Sequence, residues 1–203
     1  DGERRAASDK DRAFLMEAAE RLGAYQVKVG GDILMDRAWS VERMTESFAG
    51  VCADAAKAGT QISLEIFPAS NVRDLRVANA IVEGAAAKNG GLLLDIWHFT
   101  RGHIPYEDIA TIQPQYIKHI ELDDATAELV GTIMEDTLLR RKLPGEGEFD
   151  VVKFLDCIRK TGYEGIYGIE VLSEELRRTP VDQVAERAFK ATMGEFAKLS
   201  ELV

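Results

Sequence analysis

One unit recurs along this chain and limits its fold more than any other feature: an amphipathic helix, a glycine, then a short apolar strand. The junctions stand at Leu22-Gly23, Ala58-Gly59, Asn89-Gly90 and Thr161-Gly162. Glycine just past a helix takes the left-handed turn that closes it. Strands alternating with helices build a parallel sheet with right-handed crossovers. The spacing predicts helices over 9–22, 41–58, 72–88 and 149–160, and a last one that Thr179 caps with Pro180 at its first position. Phe14, Leu15, Ala18 and Leu22 form the inward stripe of the first, and Val181, Val184, Ala188 and Phe196 that of the last. Strands are expected over 25–29, 62–67, 91–95, 116–123 and 166–171. A short helix fits between Pro105 and Ile112. The long connection 124–147 has room for another and ends in Leu143-Pro-Gly-Glu-Gly147.

No linker interrupts this pattern, so residues 1–203 read as one domain, 46% hydrophobic and able to bury one core. The net charge of −10 repels phosphate, which argues against nonspecific nucleic-acid or anionic-membrane binding but suits a cation. There is no apolar run of about 18 residues to span a membrane. The opening Asp1-Gly-Glu-Arg-Arg5 lacks the apolar core of a signal peptide. Cys52 and Cys157 read as reduced, buried thiols, so a cytoplasmic location is expected.

Four of the five strands end in an acid: Glu65, Asp95, Glu121 and Glu170. Side chains alternate along a strand, which puts Ile117, His119, Glu121 and Asp123 on one face of the fourth. In a parallel barrel the strand C-termini converge on one mouth. Four clustered carboxylates raise each other's pKa unless a cation compensates them. A divalent metal does so, and oxygen-only ligation favours Mg²⁺ or Mn²⁺, with Zn²⁺ or Co²⁺ also admitted. The plainer alternative is that each acid caps the next helix or pairs with Arg or Lys. His119 is expected to be a buried, hydrogen-bonded histidine and Trp97 packing. Arg101 and His103 are expected in a solvated loop, and Asp123 beside Arg141 or Lys142. Gly145-Glu-Gly147 lacks the Lys-Ser/Thr of a phosphate loop.

Leu64-Glu-Ile-Phe-Pro68, Leu94-Asp-Ile-Trp-His98, His119-Ile-Glu-Leu-Asp-Asp124, Arg141-Lys-Leu-Pro-Gly-Glu-Gly147 and Gly168-Ile-Glu-Val-Leu-Ser173 occur in an order that resembles the xylose isomerase-like TIM-barrel superfamily, in particular sugar phosphate isomerases and epimerases. The resemblance implies a (β/α)8 barrel that is incomplete here, about three βα units short of the usual eight. It implies one divalent ion, with Glu65, Asp95 and Glu170 matching the family's acid ligands. Glu121 stands where the family has His or Gln, a departure that adds negative charge. His98 matches a residue that contacts a substrate oxygen. Arg141 matches one that binds a polar substrate group or a ligand-bound carboxylate.

The resemblance further implies a metal-dependent isomerase or epimerase of a sugar, sugar phosphate or polyol. Such an enzyme removes the proton alpha to a carbonyl and passes through an enediolate, with Glu65 and Glu170 exchanging the proton. Two alternatives stand beside it. One is a lyase of the same fold, a 3-dehydroshikimate or inosose dehydratase. The other is a non-catalytic metal- or sugar-binding remnant. The DNA-repair endonuclease IV branch needs a His-rich zinc cluster, and this chain has three histidines. A five-stranded open sheet has two exposed edges, so a homo-oligomer or strand exchange is expected.

Overall fold

The computed structural model describes residues 2–33 and 39–201. Helix α1 (Glu3–Leu22) leads into β1 (Gln26–Gly30), α2 (Val41–Lys57), β2 (Gln61–Glu65), α3 (Leu75–Ala85) and β3 (Gly90–Asp95). Then come α4 (Ile96–Arg101), β4 (Ile117–Leu122), α5 (Ile133–Leu139), α6 (Val151–Lys160), β5 (Tyr167–Ile169) and α7 (Val181–Ser200). The five strands are parallel and lie in chain order, as the staves of a barrel do. They make an incomplete barrel, with β1 and β5 as its open edges.

Strand alternation divides the sheet into two faces. Ile62, Leu64, Leu92, Leu94, Ile120 and Leu122 enter one core with Phe48, Val82 and Phe154 from the covering helices. The intervening residues Lys28, Glu65, Asp95 and Glu121 face the barrel interior. Alternation fails at Ile117, because a bulge shifts the register between Leu92–Ile117 and Leu93–His119. Ile117 therefore joins the helix-side core and not the Glu121 face.

The helix starts have local causes. The Ser40, Asp74 and Asp150 side chains accept from Arg43, Val77 and Lys153 backbone N–H groups, and Thr132 forms a capping box with Glu135. The short helix expected between Pro105 and Ile112 is a 3-10 helix (Tyr106–Thr111), and α4 takes up residues 96–101 directly after β3. Two expectations fail. Thr179 does not cap α7. Pro180 takes the cap position, and the Thr179 hydroxyl donates to the Glu175 carbonyl. The stripe of α1 is turned outward, with Phe14 69% exposed and Leu22 82%, and that of α7 holds only in part: Val181 is 83% exposed, whereas Ala188 is buried and Phe196 packs against the core. Both helices flank the sheet edges, where fewer neighbours cover them. Cys52 and Cys157 are buried free thiols. Among the described residues, no helix is long and apolar enough to cross a membrane.

Candidate metal centre

Asp95 ends β3 and caps α4 at once. Its Oδ1 accepts from the Trp97 N–H at 2.7 Å, so the capping role and a site role coexist in one carboxylate. The cap sets the direction of α4, which carries His98 back over the strand ends. His98 Nε2 lies 3.3 Å from Glu65 Oε1 and 3.4 Å from Asp95 Oδ2. Phe67 and Trp97 wall the imidazole edge-on, each with its ring centre 5.1 Å away. Glu65 closes β2, and Glu170 follows β5 with its N–H bonded to the Leu122 carbonyl.

Glu65, Asp95, His98 and Glu170 each offer one donor atom, and these atoms lie within 4.8 Å of one another. Three carboxylate oxygens and one imidazole nitrogen fit a divalent ion. The set differs from the four acids expected. His98, assigned to substrate, is inside the group, and Glu121, assigned to metal, is outside it. The nitrogen removes the oxygen-only premise and makes zinc as apt as manganese.

The residue missed in the sequence is Lys28. Its Nζ lies 2.9 Å from Glu65 Oε1, 2.9 Å from Glu121 Oε2 and 2.6 Å from Glu170 Oε1. Lys28 pairs with Ser63 in the ladder, two positions before Glu65, so its stem reaches along the interior face to the strand ends. The signal was present: Gln26, Lys28 and Gly30 share a face opposite Val27 and Val29. Burial lowers the Lys28 pKa, but the three carboxylates outweigh it and raise the ammonium well above its ordinary value. Burial also lifts Glu121, seconded by Glu170 and against Lys28, to about 7. For Glu65, burial raises the pKa, yet His98 and Lys28 together hold it below the usual carboxylate range.

Arg141 is 2% exposed, and its Nη1 lies 3.4 Å from Glu170 Oε2. It donates to Asp95 Oδ2 at 2.7 Å, to Asp123 Oδ2, and to Thr137 Oγ1 at 2.8 Å. Its charged partners here are carboxylates, Asp123 among them. Burial works against the Asp95 charge, but Arg141 and His98 prevail and lower its pKa. Burial and the neighbouring Asp95 push Asp123 well up despite Arg141.

Arg101 is not in a solvated loop. It is buried on α4, where Nε donates to Asp136 Oδ2 at 2.8 Å and the guanidinium also reaches the carbonyls of Thr126 and Ala127. Trp97 Nε1 shares the same carboxylate at 3.0 Å. His103 is exposed. His119 is half-buried, its Nε2 is 3.8 Å from Glu121, and its Nδ1 has no hydrogen-bond partner.

The family described as xylose isomerase-like TIM barrel matches residues 1–192. Among characterised proteins, the inosose isomerase of Bacillus subtilis is 23% identical over 190 residues, 91% of this chain and 67% of the relative. The 3-dehydroshikimate dehydratase of Pseudomonas aeruginosa is 27% identical over 173 residues, 81% of this chain and 27% of the relative. A second inosose isomerase, from Halalkalibacterium halodurans, is covered over 49% of its length, so the relatives extend beyond the part that matches. Among solved structures, the IOLI protein with a binding zinc atom superposes with a TM-score of 0.85 at 21% identity, covering 98% of this chain and 73% of that one. A fusion of a xylose isomerase-like TIM barrel with a 4-hydroxyphenylpyruvate dioxygenase gives 0.89 at 23%, over 98% of this chain and 32% of that one. At these identities the structures speak to fold.

Proposed function

The chain belongs to the xylose isomerase-like TIM barrel family, and from that premise we propose that it is a metal-dependent isomerase or epimerase of a small sugar, sugar phosphate or polyol. The observation that carries the reading is the convergence of Glu65, Asp95, His98 and Glu170 donor atoms within 4.8 Å. These four would hold one divalent ion, which when bound would polarise a substrate carbonyl and stabilise negative charge growing on its oxygen. The names of the isomerase relatives support the reaction class.

The chain's own groups would move the proton. Glu65 and Glu170 stand on β2 and just after β5, separated by two strands, so their carboxylates can approach a substrate from different sides. The low pKa of Glu65 keeps it ready to accept a proton at neutral pH. One carboxylate takes the proton alpha to the carbonyl, leaving an enediolate, and the other returns one. Return to the opposite face of the same carbon inverts it, and return to the neighbouring carbon isomerises the sugar. Arg141 is buried behind Asp95 and would orient that carboxylate without touching substrate.

The test is exchange of the substrate C–H with deuterated solvent in the presence of the ion. Glu170→Gln is expected to slow exchange by about 10²–10⁴-fold; retention of the full rate refutes the proton-transfer role. The dehydratase similarity supports a second reading, expulsion of a β-hydroxyl after the same proton abstraction. A conjugated product absorbing in the ultraviolet distinguishes it. The open edges at β1 and β5 and the exposed Phe14, Leu22 and Val181 support association of copies of the chain. Light scattering reads this directly, and a monomer at all concentrations counts against it.

A further inference from the structure

Lys28 is a charged group that the proton transfer does not employ, and it sits on the carboxylates that do. Two of its three partners, Glu65 and Glu170, belong to the group that could hold the ion, and the third, Glu121, does not. An ammonium and a divalent ion cannot share the same oxygens closely. Their like charges repel most strongly where the carboxylates are partly buried and water screens them least. The lysine side chain is 31% exposed, and its flexible stem lets the head pivot while the stem stays on β1. Glu121 Oε2 already accepts from it and is the one partner that the ion leaves free.

We propose that Lys28 is an internal cation that fills the carboxylate cage in the metal-free chain, and that Glu121 is the berth to which it withdraws when a divalent ion enters. The inference rests on the metal-centre reading. It gives a reason for an acid at position 121: the withdrawn ammonium would otherwise be left partly buried and unpaired. Charge allows both occupants. Among the described residues, Lys28 and Arg141 are the fixed cations paired with Glu65, Asp95, Glu121, Asp123 and Glu170, so a divalent ion still lowers the surplus when Lys28 stays nearby.

The experiment is manganese(II) binding, read by calorimetry and by loss of the free-ion electron paramagnetic resonance signal. It compares the wild-type chain with Lys28→Met, Glu121→Gln, the double variant and Glu65→Gln. Lys28→Met is expected to bind manganese at least about tenfold tighter, because the competing cation is gone. Glu121→Gln is expected to weaken binding more with Lys28 present than in the Lys28→Met background, the two costs differing by about fivefold or more. Lys28→Gln provides the same comparison should the methionine variant melt early, and thermal unfolding with and without manganese confirms folding of each. Unchanged or weaker binding by both Lys28 variants overturns the proposal. An equal cost of Glu121→Gln in both backgrounds overturns it too, and makes Glu121 a direct contributor to the ion. Wild-type binding that Glu65→Gln abolishes and Lys28 variants leave unmoved refutes this inference alone. Absence of Glu65-dependent binding in every variant refutes the metal centre and the inference with it.

Discussion

Arg141 Nη1 donates to Asp95 Oδ2 at 2.7 Å, and His98 Nε2 approaches that same oxygen to 3.4 Å. One carboxylate oxygen thus joins a buried structural cation to the imidazole of the candidate centre. The other oxygen is held by the Trp97 N–H, so Asp95 has little freedom to turn. Removing one partner of a buried ion pair costs about 3–5 kcal/mol, since the remaining charge has no water to turn to. Arg141→Met strands both Asp95 and Asp123, and is expected to lower unfolding free energy in urea by at least that range. A loss below about 1 kcal/mol would place the pair in the class of exposed ion pairs and contradict the burial argument.

Asp136 ties two elements that are distant in sequence. Its Oδ2 accepts from Trp97 Nε1 and Arg101 Nε, and Arg101 in turn holds the carbonyls of Thr126 and Ala127. The 124–132 segment is thereby fastened to α4, which carries His98. Asp136→Asn keeps the volume but leaves Arg101 buried without its counter-charge, with an expected cost of about 3 kcal/mol or more. Limited proteolysis is expected to open first within residues 124–132 in this variant. An unchanged digestion pattern would argue against the fastening.

Asp124 organises the Leu143-Pro-Gly-Glu-Gly147 turn from the side. Oδ2 accepts from the N–H groups of Gly145 and Gly147, and Oδ1 from those of Ala125 and Phe149. The turn is close-packed around it: a Cβ on Gly147 would come within 2.2 Å of Asp124 Oδ1, and Gly145 holds φ at +80°. Asp124→Asn turns one acceptor into a donor facing two N–H groups. The expected loss is about 2–3 kcal/mol, from buried donors left without acceptors. Chemical denaturation checks it, and a loss within experimental error would mean that the turn keeps its shape without the carboxylate.

How much of this was legible in the chain follows from what each residue sits beside. Glu65, Asp95 and Glu170 each follow an apolar run, and an acid at the end of such a run stands out. Lys28 does not, because Val27 and Val29 mark β1 by its apolar face and the alternate face carries no apolar signal. Glu121 was placed correctly on its strand, but strand position does not show which acids a neighbouring cation will claim. The nearness of His98 to Glu65 and Asp95 depends on α4, whose six residues are too few for a periodic stripe to mark. Arg101 is obscured by sequence distance, since its partner Asp136 is 35 residues away. The stripes of α1 and α7 were visible as patterns, yet Phe14 and Val181 are exposed because a pattern does not say whether a neighbour exists to cover it.

The alkaline limb of stability follows from groups that hold their protons longer when folded. Burial pushes the Cys52 thiol from 9.0 up to about 11, and Tyr106 and Tyr163 from 10.0 up to about 12. The folded chain binds more protons than the unfolded chain across these intervals. This contribution is therefore complete below pH 9 and drains away as pH rises to 11 and beyond. Unfolding free energy is expected to fall between pH 8.5 and pH 10.5 (two values bracketing about the lower half of that window), and a thiol reagent at pH 8 should reach Cys52 only after denaturant is added. Rapid labelling of the native chain would contradict the burial of that thiol.

Whether the strand-end residues hold an ion is read directly by a crystal structure after soaking in manganese or zinc, with anomalous scattering to locate the ion. The predicted result is one strong peak with Glu65, Asp95, His98 and Glu170 within about 2.0–2.6 Å, and Lys28 turned toward Glu121. An anomalous map with no peak among those four side chains, or with the ion held elsewhere while Lys28 still bridges Glu65 and Glu170, would contradict it.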